Sequence, residues 1–186
     1  MLQEQVIATD SVGCTVAQGS AVQEVAIAKG VYKIQCIGAD GQVKWTDSFP
    51  NLVTTVGKNE MLDKALAGVT YTAAWYLGLV TGPGSGNTYL AANTASSHAG
   101  WTEAVPYSNS TRPAVSWNAA SGGAKSSTAT SFTINASATV AGAFLINDST
   151  KSGTTGVLFS VGNFSGGDRT IASGDTLNVT YTATLT

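Results

Sequence analysis

Apolar and polar residues alternate with a period of two along much of the second half of the chain. Phe132, Ile134 and Ala136 alternate with Thr133 and Asn135. Val157, Phe159 and Val161 alternate with Leu158, Ser160 and Gly162. Leu177, Val179, Tyr181 and Ala183 alternate with Asn178, Thr180, Thr182 and Thr184. This spacing, with its β-branched enrichment, predicts half-buried strands. Glycine-containing turns at 121–124, 152–156, 165–168 and 173–175 separate the runs. The front half reads differently. Gly30–Ile37 predicts a strand, Ala39-Asp40-Gly41 a turn and Gln42–Phe49 the returning strand of a hairpin. A helix is predicted from about Lys58 to Ala67, with Met61, Leu62, Ala65 and Leu66 on one face and Gly68 as the terminating glycine. Residues 71–80 predict an apolar strand buried on both faces.

These elements predict a mainly β protein. The expected architecture is an antiparallel β-sandwich, jelly-roll or immunoglobulin-like, with an N-terminal hairpin and one short helix. The organisation expected is an arm, hairpin and helix in residues 1–69 and a sandwich module in 70–186; one continuous domain is the alternative. Residues 1–23 alternate weakly. They read as an arm that orders on a partner, or as an edge strand added to the chain's own sandwich. Leu177–Thr184 is long and uncharged, and as an exposed edge it would favour a homo-oligomer.

Composition narrows the function. Only 11% of the 186 residues are charged, against roughly 25% in an average domain, while Ser and Thr number 19 and 25. The 43% of hydrophobic residues suffices for a core. A net charge of -2 argues against a nucleic-acid partner. The longest apolar stretch, Ala73–Val80, is too short to span a membrane. With no basic, apolar leader at the front, the expectation is a protein made in a cytoplasm. There Cys14 and Cys36 are expected to stay unlinked.

Motifs for chemistry fail on inspection. Gly82-Pro83-Gly84-Ser85-Gly86 lacks the glycines two residues either side of Ser85 that a nucleophile elbow needs, because Pro83 and Asn87 stand there. Gly122-Gly123-Ala124-Lys125-Ser126 has Ala124 before its lysine and Asn118 at the leading position, so it is no phosphate loop. His98 is the one histidine, which excludes mechanisms needing two. In His98-Ala99-Gly100-Trp101-Thr102-Glu103 a catalytic reading makes His98 a base oriented by Glu103. The favoured reading is structural: His98 and Glu103 satisfy loop backbone, and Trp101 plugs the sandwich rim. Metal binding through Cys14, Cys36 and His98 would require an improbable convergence. Trp75, Tyr76, Trp101, Tyr107 and Trp117 are core candidates, with a sugar platform as the alternative. Arg112 and Arg169, the two arginines, are expected in ion pairs, with interface anchoring as the alternative. No catalytic, cofactor or metal residues are therefore assigned.

Several stretches resemble tailed-bacteriophage virion structural proteins: Val31-Tyr32 through Trp45, Asn51–Asn59, Tyr71–Leu79, Ser97–Glu103, Gly142–Leu145, Gly167-Asp168-Arg169 and Gly174–Leu177 before the Tyr181-Thr182 strand. The resemblance covers roughly residues 30–186. It implies a non-enzymatic virion protein, assembled in the host cytoplasm, with no cofactor. Within that class it implies a capsid decoration or cement protein whose partner is the phage major capsid protein. The alternative is a head or tail fibre component binding a host glycan. A cell-envelope hydrolase is weakest, since no acid pair or triad is visible. For the capsid-bound reading, residues 1–66 are expected to supply much of the contact.

Overall fold

The computed structural model describes residues 26–66 and 74–186. Its strands are β1 (Ala28–Ile37), β2 (Val43–Pro50), β3 (Leu52–Val53), β4 (Tyr76–Thr81), β5 (Glu103–Ala104), β6 (Ala124–Ser126), β7 (Thr130–Thr133), β8 (Ala138–Ile146), β9 (Leu158–Asn163), β10 (Arg169–Ile171) and β11 (Thr176–Leu185). One helix, α1 (Thr55–Leu66), follows β3. Residues 1–25 and 67–73 lie outside the described residues, so the arm at 1–23, Cys14 and the start of the 71–80 strand do too.

The strands form two antiparallel sheets. The first runs β2-β1-β11, and both β6 and β7 pair with the far side of β11. The second runs β3-β9-β8-β4-β5, with β10 also paired to β8. The expected hairpin is β1 and β2, with Tyr32 opposite Phe49. Its turn uses Gly41 at φ 77, a left-handed conformation that glycine adopts without steric cost. Together the sheets make a β-sandwich. Tyr32, Ile34, Phe132, Leu177, Val179 and Tyr181 of the first sheet and Leu77, Leu79, Val140, Leu145 and Phe159 of the second share one core. The hairpin and the C-terminal strand thus lie in one sheet, and no boundary between cores falls at residues 69–70.

The alternation of the first sheet has a direct structural cause. Its inward positions are apolar. On its outer face Val31, Lys33 and Gln35 of β1 stand opposite Thr182, Thr180 and Asn178 of β11. This face accommodates part of the Ser/Thr excess: Ser131 donates to Asn178 at 2.6 Å, and Ser126 Oγ lies 2.9 Å from Thr182 Oγ1. The second sheet is buried on both faces. Its outer side packs Val80, Phe144, Ile146, Leu158 and Val161 under Ala95 and Trp101.

Two expectations need correction. The C-terminal run is no exposed edge. β11 pairs along all ten residues with β1 and on its other side with β6 and β7. Period two defines which way side chains face and says nothing about which strands lie alongside. The helix starts earlier than predicted, at Thr55, and its packing face is not the apolar one. Leu62 is 56% exposed and Leu66 81%, and Gly57 is the buried helix residue. The helix docks through its first turn. A Cβ on Gly57 would lie 2.6 Å from the Phe159 carbonyl oxygen, so only glycine allows this approach to β9. Thr54, fully buried, caps the helix: its Oγ1 accepts from Gly57 N at 3.0 Å and donates to Leu158 O at 2.5 Å. Thr54→Ala is expected to lower unfolding free energy by about 1–2 kcal/mol, measured by urea denaturation, because it removes the cap and leaves the Gly57 amide unpaired.

Candidate functional site

Three polar clusters and one apolar cavity are the candidates. The first cluster is built by the 84–104 segment lying over the second sheet. Trp101 packs on Phe144 with ring centroids 5.3 Å apart and donates its indole N–H to Asn93 Oδ1 at 3.3 Å. His98 leans on the Trp101 ring at 4.3 Å, with Nδ1 3.1 Å from the Thr94 carbonyl. Trp101 thus covers the outer face of a sheet, where a plug at the sandwich rim was expected.

Glu103 faces a different partner. It accepts from Arg112 Nε at 3.0 Å and Nη2 at 2.8 Å, and from the Ser152 amide at 2.7 Å. No bond joins it to His98, so an oriented acid–base pair does not form. Arg112 also donates to the Asp148 and Gly153 carbonyls at 2.9 and 3.2 Å, and its guanidinium lies 5.3 Å from the Phe144 ring centre. Both side chains of the pair are almost fully buried, at 3% and 5% exposure. Arg112 therefore ties the 148–153 loop to β5 and has no surface to offer a partner. A cleft of about 290 Å³ between His98, Trp101, Arg112 and Thr154 runs beside it. Arg169 is the more open arginine. Its Nη2 lies 3.6 Å from Asp47 Oδ2 and its guanidinium 5.6 Å from the Trp45 ring centre, while its buried Nε has no acceptor.

The second cluster centres on Asp175. Burial disfavours its charged form, but bonds from Lys44 Nζ (2.7 Å), the Ala172 amide (2.9 Å) and Cys36 Sγ (3.6 Å) outweigh that and hold its pKa below the ordinary carboxylate value. The same surroundings act oppositely on Cys36. Burial, then the Asp175 charge, pushes its thiol up to about 11, so it stays a protonated free thiol. In the third cluster, Asp148 is likewise held low, chiefly by the Thr155 hydroxyl and the Thr150 amide. A carboxylate whose folded pKa is depressed stabilises the fold above its unfolded value of roughly 3.9 and loses that contribution as pH falls through the folded value. Thermal melts are therefore expected to hold steady between about pH 5 and 7 and to fall below about pH 4. In Asp175→Asn that acid-side fall should be shallower, from a lower plateau.

The aromatic candidates disperse. Tyr107 packs edge-on against Phe132 in the core, and Tyr76 packs with the outer cluster. Trp75 and Trp117 alone converge, on a cavity of about 430 Å³ at one end of the sandwich. Met61 of α1, Phe159, Tyr181, Ala183 and Leu185 complete most of its wall, and Glu60, Lys64 and Lys125 are its charged members. The Trp117 indole N–H is buried with no acceptor. The lining has almost no groups to hold sugar hydroxyls, so it does not form the platform considered from sequence. Alternation hinted that Phe159 and Tyr181 point inward, but nothing in the sequence indicated that the helix would stand off from them. Among the described residues, no group of three or more His, Cys, Asp or Glu could hold a metal, and no helix is long and apolar enough to cross a membrane. No protein-family model matches the chain, and no curated protein is significantly similar to it.

Proposed function

We propose that this protein is a non-enzymatic structural component of a tailed-phage virion, a decoration or cement protein that binds and stabilises the capsid lattice. One observation carries the reading: the stretches that resemble virion proteins trace the frame of both sheets and do not gather around a pocket. Asn51–Asn59 supplies β3, the Thr54 cap and the first turn of α1. Gly142–Leu145 is the middle of β8, and Gly174–Leu177 opens β11. Ser97–Glu103 makes the cover of the outer face and the Arg112 partner. A protein related through its scaffold works by shape. The polar clusters support that role, because their charged groups are occupied in holding loops to strands. A rigid sandwich offering Ser/Thr-rich faces suits many identical contacts on a repeating surface, where individually weak contacts add through multivalency.

The test is copy number and rebinding. Densitometry of purified virions is expected to give hundreds of copies per particle, and the purified protein should bind saturably to capsids that lack it and raise their resistance to heat. A few copies per particle together with binding to host cells would replace this reading with the fibre and its glycan. A measured hydrolytic activity lost in His98→Ala, with the fold intact, would overturn the non-enzymatic reading.

A further inference from the structure

The cavity beneath α1 lacks an occupant among the described residues. Its volume of about 430 Å³ lies in the range of roughly 300–1,000 Å³ typical of ligand pockets, far above ordinary packing voids. An apolar hollow of that size at the end of a core forfeits contact energy unless something fills it. We infer that the chain's own residues 1–25 fill it, laying aliphatic side chains against Trp75, Trp117 and Tyr181.

Three independent observations select this occupant. The first is where the described chain begins. Ile27 exchanges backbone hydrogen bonds with Thr186 in both directions, at 2.7 and 3.1 Å, and the neighbouring Leu185 is part of the cavity wall. The segment before Ile27 therefore starts at the cavity's edge. At about 3.3 Å per residue, only a few residues are needed to cross an opening of this size. The second is chemical match. Residues 1–25 contain Leu2, Val6, Ile7, Val12, Val16, Val22 and Val25, with three acids (Glu4, Asp10 and Glu24) and no Lys or Arg. The cavity wall is apolar, and its charged members are two lysines, Lys64 and Lys125, against one acid, Glu60. The third is the buried Trp117 indole N–H, which has no acceptor. Buried donors are paired in the great majority of native structures, and a backbone carbonyl of an inserted segment supplies the missing acceptor. Tethering assists throughout: a segment already joined at the rim is present at an effective concentration of roughly millimolar, so modest contacts hold it.

Hydrogen exchange on the full chain in dilute solution tests the inference. Amides within residues 6–25 are expected to exchange at least tenfold more slowly than in a free peptide. Ala183→Trp, which fills the cavity, should return them to free-chain rates while β8 and β9 stay protected. Lys125→Glu is an exposed change that leaves the core untouched. It should reduce the arm's protection several-fold, and it decides the matter if Ala183→Trp does not fold. Free-chain rates in the unaltered protein would overturn the inference, as would protection that survives both substitutions. Protection that grows with protein concentration would place the arm in a second copy, and protection found only on capsids would place it on the lattice; either result also overturns it. Because these measurements need no virion, their failure leaves the capsid-binding proposal standing, and failure of that proposal leaves them unaffected.

Discussion

Arg112→Ala is expected to lower the unfolding free energy by about 3–5 kcal/mol, the cost of leaving one member of a buried ion pair without its partner. Three losses combine. Glu103 keeps its charge at 5% exposure with only the Ser152 amide and the Tyr107 hydroxyl to solvate it. The Asp148 and Gly153 carbonyls lose their donors. The Phe144 ring loses the cation above it. Chemical denaturation with guanidinium or urea measures the total. The double variant Arg112→Ala, Glu103→Ala separates the terms. It should recover the part due to the stranded charge and leave the part due to the loop carbonyls, so its cost lies between zero and that of the single change. Should Arg112→Ala cost under about 1 kcal/mol, the pair would behave as a solvated surface bridge and the buried geometry would be wrong. Hydrogen exchange in residues 148–153 should rise sharply in the single variant, because that loop is held to β5 through this guanidinium.

Phe144→Ala is expected to cost a similar amount, about 3–5 kcal/mol, by opening a cavity under Trp101. Phe144 is 2% exposed and packs in the outer cluster with Val80, Ile146 and Leu158. It also covers Gly78, its directly paired neighbour on β4. A Cβ built on Gly78 would lie 2.1 Å from Phe144 Cζ, so the aromatic ring occupies the space that any other residue at 78 would need. This arrangement predicts strong coupling. Gly78→Ala should be costly alone and nearly free in the Phe144→Ala background, so the double variant should be markedly more stable than the sum of the singles implies. Additive costs would mean that the ring does not sit over Gly78. Trp101 fluorescence gives a second readout: Phe144→Ala should shift its emission to the red as water reaches the indole.

The fold was legible in the sequence wherever burial is one-sided. The runs around Phe132, Val157–Val161 and Leu177–Ala183, and the hairpin closed by Gly41, each carry a face preference that survives in the structure. The neighbours of each strand were not legible. The absence of charge on Leu177–Ala183 is as compatible with the middle of a sheet as with an edge, and β11 is in the middle. The helix was misread for a related reason. Its apolar stripe, Leu62 and Leu66, suggested the buried face, but the contact is set by a backbone approach at Gly57 that leaves no hydrophobic periodicity. For the candidate site, the two arginines were legible as ion-pair formers, since Arg at low charge density almost always finds a carboxylate. Which carboxylate was not legible. Glu103 lies five residues from His98 and nine from Arg112, and only the path of the 148–153 loop decides between them. The cavity was invisible to pattern reading because it depends on how far α1 stands from Phe159 and Tyr181, a tertiary distance.

The pairing of β1 with β11 sets an order of events during synthesis. Residues 28–37 leave the ribosome with one side of their ladder satisfied by β2 and the other waiting for residues 176–185. At about 5–20 residues per second, that wait is roughly 7–30 s. Throughout it the nascent hairpin presents Tyr32, Ile34, Cys36 and Phe49 without the strand that will cover them, and neither the inner core nor the first sheet can close. Folding of this chain is therefore a post-translational step with a high share of distant contacts, which makes it slow and chaperone-sensitive. Truncations that remove even the last strand should yield aggregates, where a less stable monomer might otherwise be anticipated.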